Sequence, residues 1–297
     1  MEFIKAKTIL TKVKYGDDWY GVDYNMNLYR GCPHGCIYCD SRSNCYHIDN
    51  FDVPKGKENA LLILENELSK KHDHGVVGIG SMSDTYNPQE LKYEQTRGAL
   101  KILSKYNFGV SIDTKSNLIL RDLDLLKEIN EKNNVIIKIT ITTPNDEISK
   151  IIEPRVCVSS KRFETIKTLT DNGIFAGIMM NPLLPFITDS EEDIKKLVKM
   201  AYESGAKFIQ TFMGMTLREN QRDYYYEQLD KYFPNIKAKY IKYYGERYNC
   251  PVPDYKRLYK VFTNECDKYG ILYNMKDIIK AYKKEIKDNE QMSLFCI

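Results

Sequence analysis

No apolar run in this 297-residue chain reaches the roughly eighteen residues that a membrane-spanning helix needs, so no membrane partner is expected. Residues 1–7 hold no apolar signal core, which leaves the cytoplasm as the expected compartment. The eight cysteines lack the density and regular spacing of a secreted disulfide framework, which excludes a stapled extracellular scaffold and points to reduced thiols. There is no large excess of one charge: the formal net charge of +3 does not announce a polyanion partner by itself. Internal repeats and low-complexity linkers are also missing, which argues against a free tethered domain. What remains is a chain with 42% hydrophobic residues, long enough to bury one barrel-sized core and carry extensions.

Three of the cysteines fall in one short stretch, Cys32-Pro33-His34-Gly35-Cys36-Ile37-Tyr38-Cys39. Thiolates converging from one glycine-containing loop suit three irons of a [4Fe-4S] cube, leaving the fourth iron open to the amino and carboxylate groups of S-adenosylmethionine (SAM). The same thiolates would also serve a structural zinc knuckle closed by Cys45 or His34. Cys45 is otherwise a reactive thiol or a small buried side chain.

Around this loop the chain alternates. Strands are expected at residues 25–29, 76–80, 108–113, 135–142, 174–180 and 207–212; the β-branched run from Val135 to Thr142 is the clearest. Helices are expected at 60–70, 88–106, 122–133 and 162–171, with a further one capped by Asp189 or Ser190. Residues 1–24 read as an extended lead-in that contains the only tryptophan, Trp19. Past Met215 the alternation stops and helices are expected at 218–231, 254–269 and 276–287. Strand–helix units joined by short connections imply a parallel sheet whose site lies at the carboxyl ends of its strands.

The Cys32-x3-Cys36-x2-Cys39 pattern, with aromatic Tyr38 before its last cysteine, resembles the signature of the radical SAM superfamily. Asp84-Thr85-Tyr86-Asn87-Pro88, Thr114-Lys115-Ser116, Thr140-Ile141-Thr142-Thr143, Glu153-Pro154-Arg155 and Asn181-Pro182-Leu183-Leu184-Pro185 follow in an order and spacing similar to the spore photoproduct lyase-like family, a DNA repair photolyase-like group. The resemblance implies an α/β fold, a partial (β/α)6 TIM-like barrel over residues 25–215, with a C-terminal helical extension over 216–290. It also implies a [4Fe-4S] cluster on Cys32, Cys36 and Cys39, with SAM contacted by Ser83, Lys115 and Thr140. An electron donor such as flavodoxin or ferredoxin is expected as a partner. Gly80, like Gly78, would admit a cofactor close to the second strand or mark tight packing, Asp84 would cap a turn or meet ligand, and Arg155 would bind an anion or a surface carboxylate. The DNA lyase that this family is named for resembles the chain with a hydrogen-donor cysteine where Ser81 stands and a second tyrosine where Asp40 stands. Tyr38 keeps the first tyrosine's place. A serine O–H bond is too strong to donate a hydrogen atom readily, so repair of a thymine photoproduct by the same relay is not expected unless Cys45 or Cys250 supplies a thiol.

Between Lys231 and Lys260 eight basic residues face two acidic ones, with seven tyrosines interleaved. Such a segment offers cations to phosphates and rings to bases, or is simply a solvated face over core tyrosines. Nucleic acid is therefore the first substrate class. RNA, peptide or small-metabolite modification by the same chemistry is the alternative, as is a clamp- or nucleic-acid-associated interaction protein with structural metal. Residues 291–297 (Gln-Met-Ser-Leu-Phe-Cys-Ile) place Leu294 and Phe295 on a polar tail and resemble the bacterial sliding-clamp-binding peptide. If that resemblance is functional, a peptide of residues 286–297 titrated against purified clamp binds saturably, and Leu294→Ala or Phe295→Ala abolishes the signal. Binding that survives both changes rules the contact out.

Overall fold

Six short strands, most of them rich in β-branched or other apolar residues, form the centre of the computed structural model, which describes residues 1–14 and 19–283. They are β1 (Tyr24–Met26), β2 (Val76–Ile79), β3 (Gly109–Thr114), β4 (Val135–Thr140), β5 (Phe175–Met180) and β6 (Ile209–Thr211), parallel and in chain order across the sheet. Leu10–Lys12 adds an antiparallel edge to β1. The helices α1 (Ala60–Leu68), α2 (Gln95–Lys105), α3 (Leu123–Lys132), α4 (Ser159–Asp171) and α5 (Glu191–Glu203) connect successive strands. The result is the expected partial barrel, open rather than closed.

Period-two alternation sorts the strand side chains. On β4, Ile137 and Ile139 join the main apolar core with Leu64, Leu100 and Leu126 of the connecting helices. Ile136 instead joins Tyr20, Phe208, Ile278 and Tyr282 in a separate cluster that closes the barrel's amino end. Lys138, on the same face as Ile136, is 1% exposed and stands above that plug. Ser190 caps α5 by accepting from the Asp193 amide at 3.0 Å, with Glu191 and Glu192 in the first turn.

Three expectations are corrected. The strand expected at 25–29 ends at Met26; Tyr29–Arg30 belongs to a separate three-stranded sheet with Lys55–Lys57 and Phe3–Ile4. The single helix expected at 88–106 is broken at Glu94, which has φ 46°, into Glu90–Tyr93 and α2. That break lets the buried Glu90 carboxylate turn back and accept from the Thr96 amide at 2.9 Å while also taking Tyr29 and Arg121. The helix expected at 276–287 is Met275–Tyr282, and residues 284–297, with the clamp-like Gln291–Phe295 peptide, lie outside the described residues.

The chain after β6 is not one appendage. Gly214–Thr216 pairs antiparallel with Asn249–Pro251. Between them α6 (Gln221–Tyr232) and α7 (Ile236–Tyr244) form a helical pair, and α7 occupies the middle of the Tyr-rich basic segment, where no helix was expected. Its Tyr240 and Tyr244, four apart, turn inward onto Phe186. α8 (Tyr255–Tyr269) packs on α5, and α9 (Met275–Tyr282) carries the residues that plug the barrel floor. No helix among the described residues is long and apolar enough to cross a membrane.

Gly177 on β5 faces the Phe208 carbonyl so closely that an added Cβ would lie 2.5 Å from that oxygen and from the ring. Gly177→Ala is expected to cost about 1–3 kcal/mol through overpacking, read as a lowered thermal midpoint; an unchanged midpoint would show that β5 and β6 have room to separate.

Candidate active site

A cavity of about 300 Å³ opens at the carboxyl ends of the strands, and Cys32, Cys36 and Cys39 line it together. Their loop is fixed from several sides. Gly31 has φ 81°, and a Cβ there would lie 2.7 Å from the Phe51 carbonyl, which accepts from the Cys32 amide at 2.8 Å. The Ser83 hydroxyl donates to the Gly31 carbonyl at 2.7 Å, the Ile37 amide to Ile152 at 3.0 Å, and Arg155 donates to the carbonyls of His34 and Pro33 at 3.2 and 3.1 Å. Arg155 is thus a clasp on the cysteine loop. Its distance to Asp52, 4.0 Å, makes the surface ion pair secondary.

Behind the loop lies a buried ion pair. Glu153 and Arg162 have fully buried side chains, and the Tyr38 phenol donates to the same Glu153 carboxylate. Arg162 also donates to the carbonyls of Thr140 and Cys157 at 2.9 and 2.8 Å. One carboxylate therefore joins the cysteine loop to the end of β4. Burial first, then the facing Glu153, pushes the Tyr38 phenol well above its ordinary value, so the hydroxyl keeps its proton. From the other side, the Gln221 amide donates to the Tyr38 carbonyl at 2.9 Å.

Asp84 caps a turn. Its carboxylate accepts from the Tyr86 amide at 2.9 Å, the Thr114 hydroxyl at 2.6 Å and the Lys115 amide at 2.7 Å, and it faces His34 at 3.5 Å. It thereby sets Lys115, which lines the cavity with its ammonium 6.0 Å from the Tyr38 ring centroid. Burial works against the Lys115 charge, but Cys36, Glu153 and Asp84 outweigh it and hold the ammonium charged. Thr140 and Ser83 also line the cavity, as does Ser81, whose hydroxyl is 3.4 Å from Asn27 Oδ1. Gly80, φ 107°, runs so near β3 that a Cβ would lie 2.4 Å from the Asp113 carbonyl; at Gly78 a Cβ would lie 2.8 Å from Asn25 Oδ1, which marks packing inside the barrel.

Not all candidates gather here. Cys45 is exposed and lines a different cavity, with His47 and Arg218, while Cys250 is buried in the core under α6 and α7. The thiol that does approach the site is Cys157, 3.3 Å from the Lys115 carbonyl. Asp40 turns away from the cavity and binds the Thr216 hydroxyl at 2.8 Å, Arg218 at 3.0 Å and the Tyr46 hydroxyl at 2.9 Å. Glu153 stood in the sequence beside the more conspicuous Arg155, and Asn181 at the head of the Asn181–Pro185 segment, whereas Arg162, Gln221 and Asp113 gave no local signal.

The chain is matched by the family model described as Radical SAM superfamily over residues 26–223. It belongs to the radical SAM superfamily. It is similar to an uncharacterised protein of Methanocaldococcus jannaschii, 33% identical over 192 residues covering 63% of this chain and 69% of the relative. An uncharacterised protein of Mycobacterium bovis is 27% identical over 242 residues, covering 79% and 71%. Among solved structures, spore photoproduct lyase complexed with dinucleoside spore photoproduct shares the fold with a TM-score of 0.66 at 13% identity, over 90% of this chain and 79% of that one. This radical SAM enzyme therefore takes a [4Fe-4S] cluster and SAM as cofactors.

The donor set fits the cluster. Three soft sulfur donors from one short loop line a single cavity beside the charged Lys115, the donor chemistry that an iron–sulfur cube takes. Of the two side chains that could close a four-ligand zinc site, Cys45 lines a different cavity, while His34 lines this one with its Nδ1 3.5 Å from Asp84.

Removing Glu153 leaves the Arg162 guanidinium buried without a counter-charge. Glu153→Ala is expected to cost about 3–5 kcal/mol, and the paired change Glu153→Leu with Arg162→Met much less. Chemical denaturation of the three proteins checks it; equal losses in the single and paired variants would show that the ion pair is not the element at stake.

Proposed function

We propose that this enzyme uses Cys32, Cys36 and Cys39 to hold the cluster and Lys115, Ser83 and Thr140 to orient SAM, and that it acts on a nucleic-acid substrate. The observation that carries the reading is the sharing of one cavity by the three thiols and the charged Lys115. When bound, the cluster supplies an electron to the sulfonium of SAM, the origin of the 5′-deoxyadenosyl radical by which this superfamily removes hydrogen from substrates.

Each residue has a task that its surroundings support. Lys115, kept charged and aimed by Asp84, is suited to the carboxylate of an amino acid. Ser83 and Thr140 offer hydroxyl oxygens that accept from an ammonium group. Glu153 and Arg162 set Tyr38 without letting its phenol leave.

The nucleic-acid part rests on two supports. Tyr240 and Tyr244 of α7 are core residues packed on Phe186, five residues after the cavity-lining Asn181, and leave Tyr243, half exposed, and Lys239, 5.8 Å from the Phe186 ring centroid, as the ring and cation this basic helix offers to a base and a phosphate. The neighbour of known name was solved with a dinucleoside photoproduct. Ser81 and Asp40 argue against the same hydrogen-return relay, since neither Cys45 nor Cys250 lines the cavity.

Anaerobically reconstituted protein is expected to carry about four iron and four sulfide per chain and to release 5′-deoxyadenosine with dithionite and SAM; Cys36→Ala loses both. Zinc in place of iron, or iron without release of 5′-deoxyadenosine, would overturn the reading. With dinucleoside spore photoproduct as substrate, efficient thymine restoration by the Ser81 protein would overturn the exclusion of the lyase reaction.

A further inference from the structure

The lumen beneath the cysteine cavity is polar where a barrel of this size is ordinarily filled with apolar side chains. Lys138 Nζ lies 3.0 Å from Asp113 Oδ2 and 4.5 Å from the centroid of the Tyr20 ring, and it is almost completely enclosed. Asp113 is open over 24% of its side chain and lines the cavity, so the pair is reached from above. Three buried oxygens on this lumen face have no hydrogen-bond partner: Asp113 Oδ1, Ser111 Oγ two residues earlier on β3, and Gln210 Oε1, whose residue lies in register with the cavity-lining Met179. A carboxylate offers about four acceptor positions, and Lys138 takes one. The three unpartnered oxygens are closed to solvent in this arrangement, so a ligand's donor would meet the open side of the Asp113 carboxylate, which lines the cavity.

We propose that Asp113, backed by Lys138, recognises a neutral ring N–H of the substrate, and that the ring is a nucleobase with an imide or amide edge.

The charge balance selects the donor. With Lys138 at its back the carboxylate carries no net surplus of negative charge, and Lys115 adds a further positive charge at the same cavity, so an alkylammonium group gains little here. A neutral N–H keeps the full benefit of a charge-assisted acceptor. The walls select the shape: the Trp19 indole, 45% exposed, and the thioethers of Met82 and Met179 offer flat or pliant apolar surface. Asn181, on the same cavity, has an amide that donates to a ring carbonyl or accepts from a ring N–H. Acceptor, amide and apolar walls together match a heteroaromatic ring in which N–H and C=O stand side by side. Asp113 would touch substrate; Lys138 positions and neutralises it.

This assignment rests on the nucleic-acid reading, and one set of titrations separates the two. The anaerobically reconstituted holoenzyme with SAM is titrated calorimetrically with thymidylyl-thymidine and with the same dinucleoside methylated at both ring N3 atoms. The expected result is binding of the parent and roughly tenfold or greater weakening by methylation, as for a buried acceptor left unpaired. In the paired variant Asp113→Leu with Lys138→Met, which replaces the ion pair by apolar groups of similar size, the two dinucleosides are expected to bind within about twofold of each other. Equal binding of both by the native protein overturns the Asp113 assignment while leaving the nucleic-acid reading in place, and this comparison needs no variant to fold. Discrimination retained in the paired variant also overturns the assignment. No binding of either dinucleoside overturns both.

Discussion

A carboxylate with no access to water, Glu153, fixes the cysteine loop relative to the barrel. Arg162 meets it from α4 and Tyr38 from the loop, so three separate segments depend on one group. An ion pair of this kind adds little net stability over an apolar replacement, because desolvation of the two charges consumes most of their attraction. Its effect is on choice of conformation: any arrangement of the loop that pulls Tyr38 away leaves a phenol and a charged pair incompletely partnered in a dry interior. A loop carrying three thiols toward one cavity needs such a constraint, since Gly31 and Gly35, with φ of 81° and 71°, would otherwise leave it a choice of paths.

The same logic recurs one layer out. Asp40, directly after the last cysteine, is held by Thr216, Arg218 and Tyr46, and Arg42 stacks 4.1 Å over the Tyr224 ring while pairing with Asp52. α6 therefore grips the far end of the cysteine loop, with Gln221 reaching the Tyr38 carbonyl itself. Asp40 is thus an anchoring carboxylate. That position is committed to holding the segment that leads into α6 against the loop.

Much of this was legible in the sequence, and the illegible part has a common cause. Alternation of Ile, Val and Thr at Val135–Thr140, the paired leucines of α1 and the cysteine spacing are local patterns, and the sheet, the helices and the thiol loop followed from them. Charges on helices and strands read as solvated faces, so Glu90, Arg162 and Lys138 gave no sign of burial; each acquires its partner from another segment. Proximity in the chain also misled. Cys45 lies only six residues past Cys39, yet the two short 3-10 turns at Asp40–Arg42 and Asn44–Tyr46 carry it out of the cavity. Helix α7 escaped notice because lysine and tyrosine alternate there without an evident apolar stripe, although Tyr240 and Tyr244 supply one at a spacing of four.

A barrel that places an electron-transfer centre at its rim must still decide what enters its lumen. Here the amino end is sealed by Tyr20, Ile136, Phe208 and Tyr282, and the polar layer begins directly above with Lys138 and Asp113. An apolar filling at that level would have been easier to fold, since every buried polar atom without a partner costs about 1–3 kcal/mol. Retaining an ion pair immediately beneath a cavity makes physical sense where a ligand's polar edge meets the open side of its carboxylate. On the proposed reading that edge would meet Asp113, with Lys138 behind it and the Trp19 indole on the cavity wall.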